Sequence, residues 1–209
     1  MDVIKQLKWR YATKKFDADK PLSEAKLAVV KEAFNLTATS YGLQPIKLII
    51  INDKTLQEKL VEYSWNQQQI ADASHVLVFC IESKINESYI KEYFKRVKTI
   101  RETPEEILNP FKDNLIQHFS SKSTEDVKDW ATRQAYLAMG NLLTICATEG
   151  IDACPMEGFV PEKYDAILSL ASKGLESVLV MPIGYRASDD IFSNFKKVRK
   201  AISEVIIEI

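Results

Sequence analysis

The chain has 209 residues, 46% of them hydrophobic and 27% charged, enough to bury a sizeable core as one domain or as one subunit of an oligomer. Its 28 basic and 29 acidic residues leave a formal charge of −1, so no overall field points to a nucleic acid or an anionic membrane as partner. Cys80, Cys146 and Cys154 stand apart in apolar surroundings with no CxxC pair; this argues against a disulfide framework or a zinc site and for small buried hydrophobes in a reducing cytoplasm.

The opening Met1-Asp2-Val3-Ile4-Lys5 has no basic stretch before an apolar core, so no signal peptide is expected. Val3, Ile4 and Leu7 recur at helical spacing and predict a short amphipathic helix. Ser23 is a plausible N-cap for a second helix, with Leu27, Val30, Ala33 and Phe34 as its apolar stripe. Residues 46–52 read as a buried strand. Asp53 can cap a helix carrying Leu56, Leu60 and Tyr63, and residues 75–81 (HVLVFCI) read as a second buried strand.

A helix over 86–101 is marked by Tyr89, Ile90, Tyr93, Phe94, Val97 and Ile100. Thr103-Pro104-Glu105-Glu106 predicts another start, with threonine as N-cap and proline at the first helical position. The longest helical segment runs from Ser123 to Glu149 and stops at Gly150. Its stretch 136–147 is too short to span a bilayer and carries Asn141 and Thr144. Residues 135–147 are apolar on nearly every face and need cover on all sides, for which a partner subunit is a natural source. Strands are expected at 151–154 and 177–183, with a helix over 161–171 between them. The β-prone tail 204–209 (EVIIEI) is expected to pair with a sheet edge, its own or a second subunit's. No repeat or linker interrupts the chain, so residues 1–209 read as one α+β or α/β domain.

The motifs of several chemistries are missing. There is no GxGxxG after a strand, no GxxxxGK[ST], no GxSxG and no HExxH. Only His75 and His118 are available, and His75 reads as a structural histidine at a strand start. So thin a supply of catalytic side chains points toward a borrowed cofactor.

Four segments stand out: Arg10-Tyr11-Ala12-Thr13-Lys14-Lys15-Phe16, Thr39-Ser40-Tyr41-Gly42-Leu43-Gln44-Pro45, Cys154-Pro155-Met156-Glu157-Gly158-Phe159 and Lys196-Lys197-Val198-Arg199-Lys200. Each alone is an ordinary turn or a solvated basic pair. Two basic clusters nearly two hundred residues apart could converge on a phosphate, but spacing does not establish that they do. With Asp72-Ala73-Ser74-His75-Val76 before the second strand, the set resembles the nitroreductase family over nearly the whole chain, specifically its oxygen-insensitive NAD(P)H nitroreductase and dihydropteridine reductase branch.

The resemblance implies a three-layer α/β/α sandwich with a mixed sheet, flanking helices and C-terminal strand exchange across a homodimer. It implies a cytoplasmic enzyme that holds FMN, takes hydride from NADH or NADPH and passes it to a nitroaromatic, a quinone or a pterin. Arg10, Lys197 and Arg199 would bind the FMN phosphate, and Lys14 would sit at the N1/O2 side of the ring. Asn66 would meet the pyrimidine edge, Pro155 and Met156 would lie against the ring, and Glu157 and Gly158 would offer backbone N–H groups near N5. Thr39, Ser40 and Tyr41 would come from the opposite subunit; Tyr11, Ala12, Gln44 and Gln69 complete the cofactor-binding set. Tyr41, Phe111 and Phe119 are the substrate-side candidates, the two phenylalanines within a possible lid over 84–123 whose core packing is an equal reading. No catalytic side chain, metal, nucleic acid or membrane is implied. Four positions depart from the family's pattern. Ala12 stands where serine is common, Gln69 where a lysine often holds the flavin O2 edge, Gly42 for asparagine and Ile46 for tryptophan. The rivals are an enone reductase or dehalogenase on the same fold, and a flavin-binding storage or sensor protein.

Overall fold

A computed structural model describes residues 2–209. In chain order the elements are α1 (Val3–Trp9), α2 (Glu24–Asn35), β1 (Ile46–Ile51), α3 (Lys54–Glu62), α4 (Gln69–Asp72), β2 (His75–Glu82), α5 (Glu87–Arg101), α6 (Glu105–Ser120), α7 (Thr124–Thr148), β3 (Asp152–Ala153), α8 (Pro161–Ile167), β4 (Leu175–Gly184) and α9 (Ile202–Val205). Local chemistry sets most helix starts. The side chains of Asp2, Ser23, Asp53, Asn86 and Ser123 each accept the N–H three residues on, satisfying a donor the helix cannot. Gly150, at φ +66°, turns the chain out of α7.

The strands form one sheet in the order β1-β2-β4-β3, antiparallel throughout. Among the described residues the expected mixed sheet is therefore antiparallel, with one parallel bridge, Ala12 to Ala153. Central β2 is buried on both faces. Leu77, Phe79 and Ile81 face α2 and α7, while Val76, Val78 and Cys80 face α3, α4 and α8. This gives the α/β/α layering. A third cluster of Leu43, Ile85, Ile90, Phe94, Leu115 and Phe119 welds the α5–α6 hairpin to the body.

Three local expectations need correction. Pro104 lies outside the helix in an extended conformation, and α6 begins at Glu105 without a side-chain cap from Thr103. The helix then continues across Pro110. The helix expected over 161–171 ends at Ile167, followed by a 3-10 turn at Ala171–Lys173. The tail is not a strand over 204–209. Residues 202–205 close one helical turn, in which the Ala201 N–H donates to the Glu204 carboxylate, and Ile206 is extended. A strand's N–H and C=O groups need a neighbour, and among the described residues the tail pairs with no strand of its own chain, the edge of β1 staying open.

Among the apolar surfaces left uncovered are one on α7 and one on the tail. On α7, Tyr136 is 46% and Leu137 55% exposed, in a stripe continued by Gly140 and Thr144. Ile202, Val205, Ile206, Ile207 and Ile209 of the tail are also exposed. No helix among the described residues is long and apolar enough to cross a membrane.

Candidate active site

The loop after α1 threads along the end of the sheet. The Thr13 N–H donates to the Ala153 carbonyl, Phe16 bridges Arg186, and the Asp17 N–H donates to the Tyr185 carbonyl. This path brings Lys14 Nζ to 3.9 Å from the sulfur of Cys154, a buried residue just past β3. Gln69, buried on α4, places its Nε2 3.9 Å from the same sulfur. Burial pushes the Cys154 thiol up, opposed by the Lys14 charge and by the contacts from Gln69 and Lys14.

Gln69 also donates to Gln67 Oε1 (3.0 Å), and Gln67 Nε2 donates to the Gly158 carbonyl (3.1 Å). A relay therefore links Gln69 to the 155–158 turn. The backbone of Gly158 comes close to its neighbours: a Cβ there would stand 2.8 Å from the Trp65 ring and 3.2 Å from Gln67 Nε2, so both side chains would have to shift. Asn66 lies beside this turn in the left-handed region (φ +55°). Met156 pairs with Val180 of β4 and is buried, while Glu157 is exposed and accepts from the Tyr136 hydroxyl of α7 at 2.6 Å. Among the described residues, neither the Glu157 nor the Gly158 N–H donates to a protein acceptor. Beside them is a depression of about 500 Å³ lined by Tyr136, Met139, Gly140, Leu143, Pro155 and Met156, open on the uncovered face of α7.

The two distant basic segments do meet. Lys197 Nζ donates to the Arg10 carbonyl. Burial, and then the nearby charges of Arg10, Arg199 and Arg186, hold the Lys197 ammonium below the usual lysine range. Arg10 Nε is buried without a hydrogen-bond partner. Arg186 was not singled out by sequence. Its guanidinium lies 4.2 Å from the Trp9 ring centroid and 4.5 Å from that of Tyr11. Its Nε donates to buried Asp152 (2.8 Å) and its backbone N–H to the same carboxylate (2.9 Å).

Asp190 was also missed. Burial pushes its carboxyl up, but the Tyr11 hydroxyl and the N–H groups of Lys14, Lys15 and Phe192 outweigh that and hold it below the usual range. Burial and the bond to Asp190 push the Tyr11 phenol well above its ordinary value.

The second expected group gathers elsewhere. The Ser40 N–H donates to Gln134 Oε1 of α7 (2.9 Å), and the Gln44 N–H donates to Thr39 Oγ1 (3.0 Å). Tyr41 sits in the left-handed region (φ +58°), its ring edge-on to His118 and Phe119 and tilted over Trp130. Among the described residues, no hydrogen bond joins this group to Lys14 or to the 155–158 turn within one chain. Phe119 is 4% exposed and packs in the third core cluster. Phe111 is 48% exposed, edge-on to Phe94.

The sequence profile of the nitroreductase family matches residues 7–185. This chain belongs to the nitroreductase family. A Bacillus subtilis protein, YfkO, which carries a provisional NAD(P)H nitroreductase name, is 31% identical over 98% of this chain and 96% of its own. A Salmonella typhimurium protein named oxygen-insensitive NAD(P)H nitroreductase is 28% identical over the full length of both. Among solved structures, the fold matches an Exiguobacterium sibiricum nitroreductase-type protein in complex with FMN (TM-score 0.83, 17% identity, 100% and 98% of the two chains). It also matches the NADPH:FMN oxidoreductase of Vibrio harveyi complexed with NAD+ (TM-score 0.70, 18% identity, 99% and 76%). In this nitroreductase the sheet ends, α4 and the 155–158 turn carry one half of the expected site, and the Thr39–Gln44 turn carries the other.

Proposed function

We propose that this nitroreductase is a homodimeric, cytoplasmic FMN-dependent oxidoreductase that accepts hydride from NADH or NADPH and delivers it to a nitroaromatic, a quinone or a pterin. The observation that carries the reading is the meeting of Arg10, Lys197 and Arg199 at one end of a loop whose other end presents Lys14. Four extended steps from Arg10 to Lys14 span at most about 14 Å, so one short stretch carries both the cation cluster and the Lys14 ammonium.

The residues fit FMN. A cation cluster with the buried orphan donor Arg10 Nε suits a phosphate dianion, for which arginine offers bidentate and lysine point-charge contacts. Lys14 would stabilise negative charge gathering on the pyrimidine edge, with Asn66 and neutral Gln69 hydrogen-bonding the same edge. The free Glu157 and Gly158 N–H groups suit a ring nitrogen, and Pro155 and Met156 supply an apolar wall. When bound, FMN supplies the two-electron hydride chemistry; the chain binds, orients and tunes.

The dimer reading rests on the uncovered surfaces. A groove of about 390 Å³ runs along β1 past Phe34, Ile46, Leu48, Ile50, Tyr89 and Tyr93, where an isoleucine-rich tail from a second copy would pair with the open edge of β1. Docking of the α7 stripes would carry the partner's Thr39–Tyr41 turn toward Lys14 and the 155–158 turn, with Tyr41 closing the substrate side. An anaerobic visible spectrum tests the reading. Flavin bands that bleach on adding NADH or NADPH support it, and a colourless protein that takes up no FMN overturns it.

A further inference from the structure

We propose that Asp190 is a positioning residue that locks the Arg10–Lys15 loop and the Lys197–Arg199 segment into one phosphate-binding frame; the inference rests on the FMN reading above. Asp190 is 3% exposed. One carboxylate oxygen, Oδ2, accepts from the Tyr11 hydroxyl (2.8 Å), the Lys14 N–H (3.0 Å) and the Lys15 N–H (3.2 Å). The other, Oδ1, accepts from the Phe192 N–H (3.1 Å) and so starts the 3-10 turn at Ile191–Asn194. Its partners are three backbone amides and a phenol. What it fixes is therefore the path of the chain on both sides of the site. Downstream of that turn, Lys197 closes the frame by donating to the Arg10 carbonyl. The neighbouring Asp189–Lys15 pair is exposed and adds little.

A carboxylate is an odd choice beside a site for a dianion, since its charge weakens the pull of the cations on a phosphate. Positioning and electrostatics therefore predict opposite signs for Asp190→Asn. Asparagine keeps the shape and loses the charge, but it has one acceptor and one donor group. If its oxygen replaces Oδ2, its NH2 faces the Phe192 N–H. If the amide is turned over, the NH2 meets three donors. Either way a buried donor is orphaned, which weakens the frame. A bystander carboxylate would show the reverse: removing its charge would tighten FMN binding.

The test is FMN titration of reversibly stripped wild-type, Asp190→Asn and Tyr11→Phe proteins by fluorescence quenching. It is joined by amide hydrogen exchange of residues 14 and 15 in the stripped protein and visible circular dichroism at saturating FMN. The expected result for Asp190→Asn is FMN binding weaker by roughly five- to a hundredfold, from one unsatisfied buried donor. Faster exchange at both amides and an altered flavin dichroism, because Lys14 moves, accompany it. Destabilisation elsewhere would leave that spectrum unchanged. Tyr11→Phe, which keeps the carboxylate and its amides, is expected to weaken FMN binding less. It decides the matter if Asp190→Asn does not fold. Unchanged or tighter FMN binding in the folded variants, or unchanged exchange at residues 14 and 15, would overturn the proposal. Failure of the wild type to take up FMN would instead sink the cofactor reading, and the exchange data would still judge the clamp.

Discussion

Removing the carboxylate of Asp152 strands a charge in a place built to hold a pair. The Asp152 side chain is 4% exposed; its Oδ1 accepts from Arg186 Nε, with Thr13 Oγ1 3.5 Å away, and its Oδ2 accepts from the Arg186 backbone N–H. In Asp152→Ala the Arg186 guanidinium keeps its stacking on Trp9 and Tyr11 but loses its counter-charge. Breaking a buried pair from one side costs about 3–5 kcal/mol, and the 22% exposure left to the Arg186 side chain places this case at the lower end, about 3 kcal/mol. For a chain of this size each kcal/mol moves the melting temperature by roughly 2–4 °C, so Tm should fall by about 6–12 °C. The assay is a thermal melt of Asp152→Ala, Arg186→Met and the Asp152→Leu/Arg186→Met double variant at one protein concentration, since an associating chain melts concentration-dependently. The double variant should be more stable than Asp152→Ala, because it buries no unpaired charge. A fall under about 2 °C for Asp152→Ala, or a double variant as damaged as the two singles combined, would refute the reasoning.

Burial lowers the pKa of His75, whose Nδ1 shares a hydrogen bond with the Ser74 hydroxyl. The unfolded chain then takes up a proton near pH 6.5 that the folded chain resists, so this contribution is full above pH 6.5 and is lost as pH falls through the folded value. In urea melts the advantage of wild type over His75→Asn should be smaller at pH 5 than at pH 7.5; equal differences at both would count against it. The three thiols should resist a thiol reagent in the native protein, since burial pushes Cys80 and Cys146 up to about 12 and raises Cys154 as well. Rapid labelling of Cys154 without unfolding would show that the Lys14 charge outweighs burial there. Leu137→Glu on the open stripe of α7 should convert a dimer to monomer by light scattering and lower FMN retention with it; a dimer that survives unchanged would place the interface elsewhere.

Much of the fold was legible because its signals are local. Ser23, Asp53, Asn86 and Ser123 each cap within three residues, and the continuous apolar run of β2 needs no distant partner to be recognised. The helical turn at 202–205 was not legible because strand formation is not a local property: the tail's isoleucines are apt for a sheet, but among the described residues the tail pairs with no strand of its own chain. Most of the cofactor candidates were legible only as four short motifs, and Asn66 and Gln69 only through the family resemblance. Their joining members were not, because each works across the sequence. Asp190 meets Tyr11 from 179 positions away, and Arg186 meets Asp152 from 34. Cys154, read as a plain hydrophobe, is the sulfur at which Lys14 and Gln69 converge. Gln67 stands in a run of three glutamines with nothing local to mark it, and its bonds to Gln69 and to the Gly158 carbonyl exist only in the fold.

The frame joining Arg10, Lys14 and Lys197 has a temporal side. Its halves leave the ribosome far apart, Arg10 early and Lys197 187 residues later. At about 5–20 residues per second, that is roughly 9–37 s of synthesis during which the loop after α1 has no Asp190 to dock against. The pairing of Lys197 with the Arg10 carbonyl therefore forms only after those further residues have been made. On the FMN reading proposed above, loading with cofactor would report that these two distant segments have found each other.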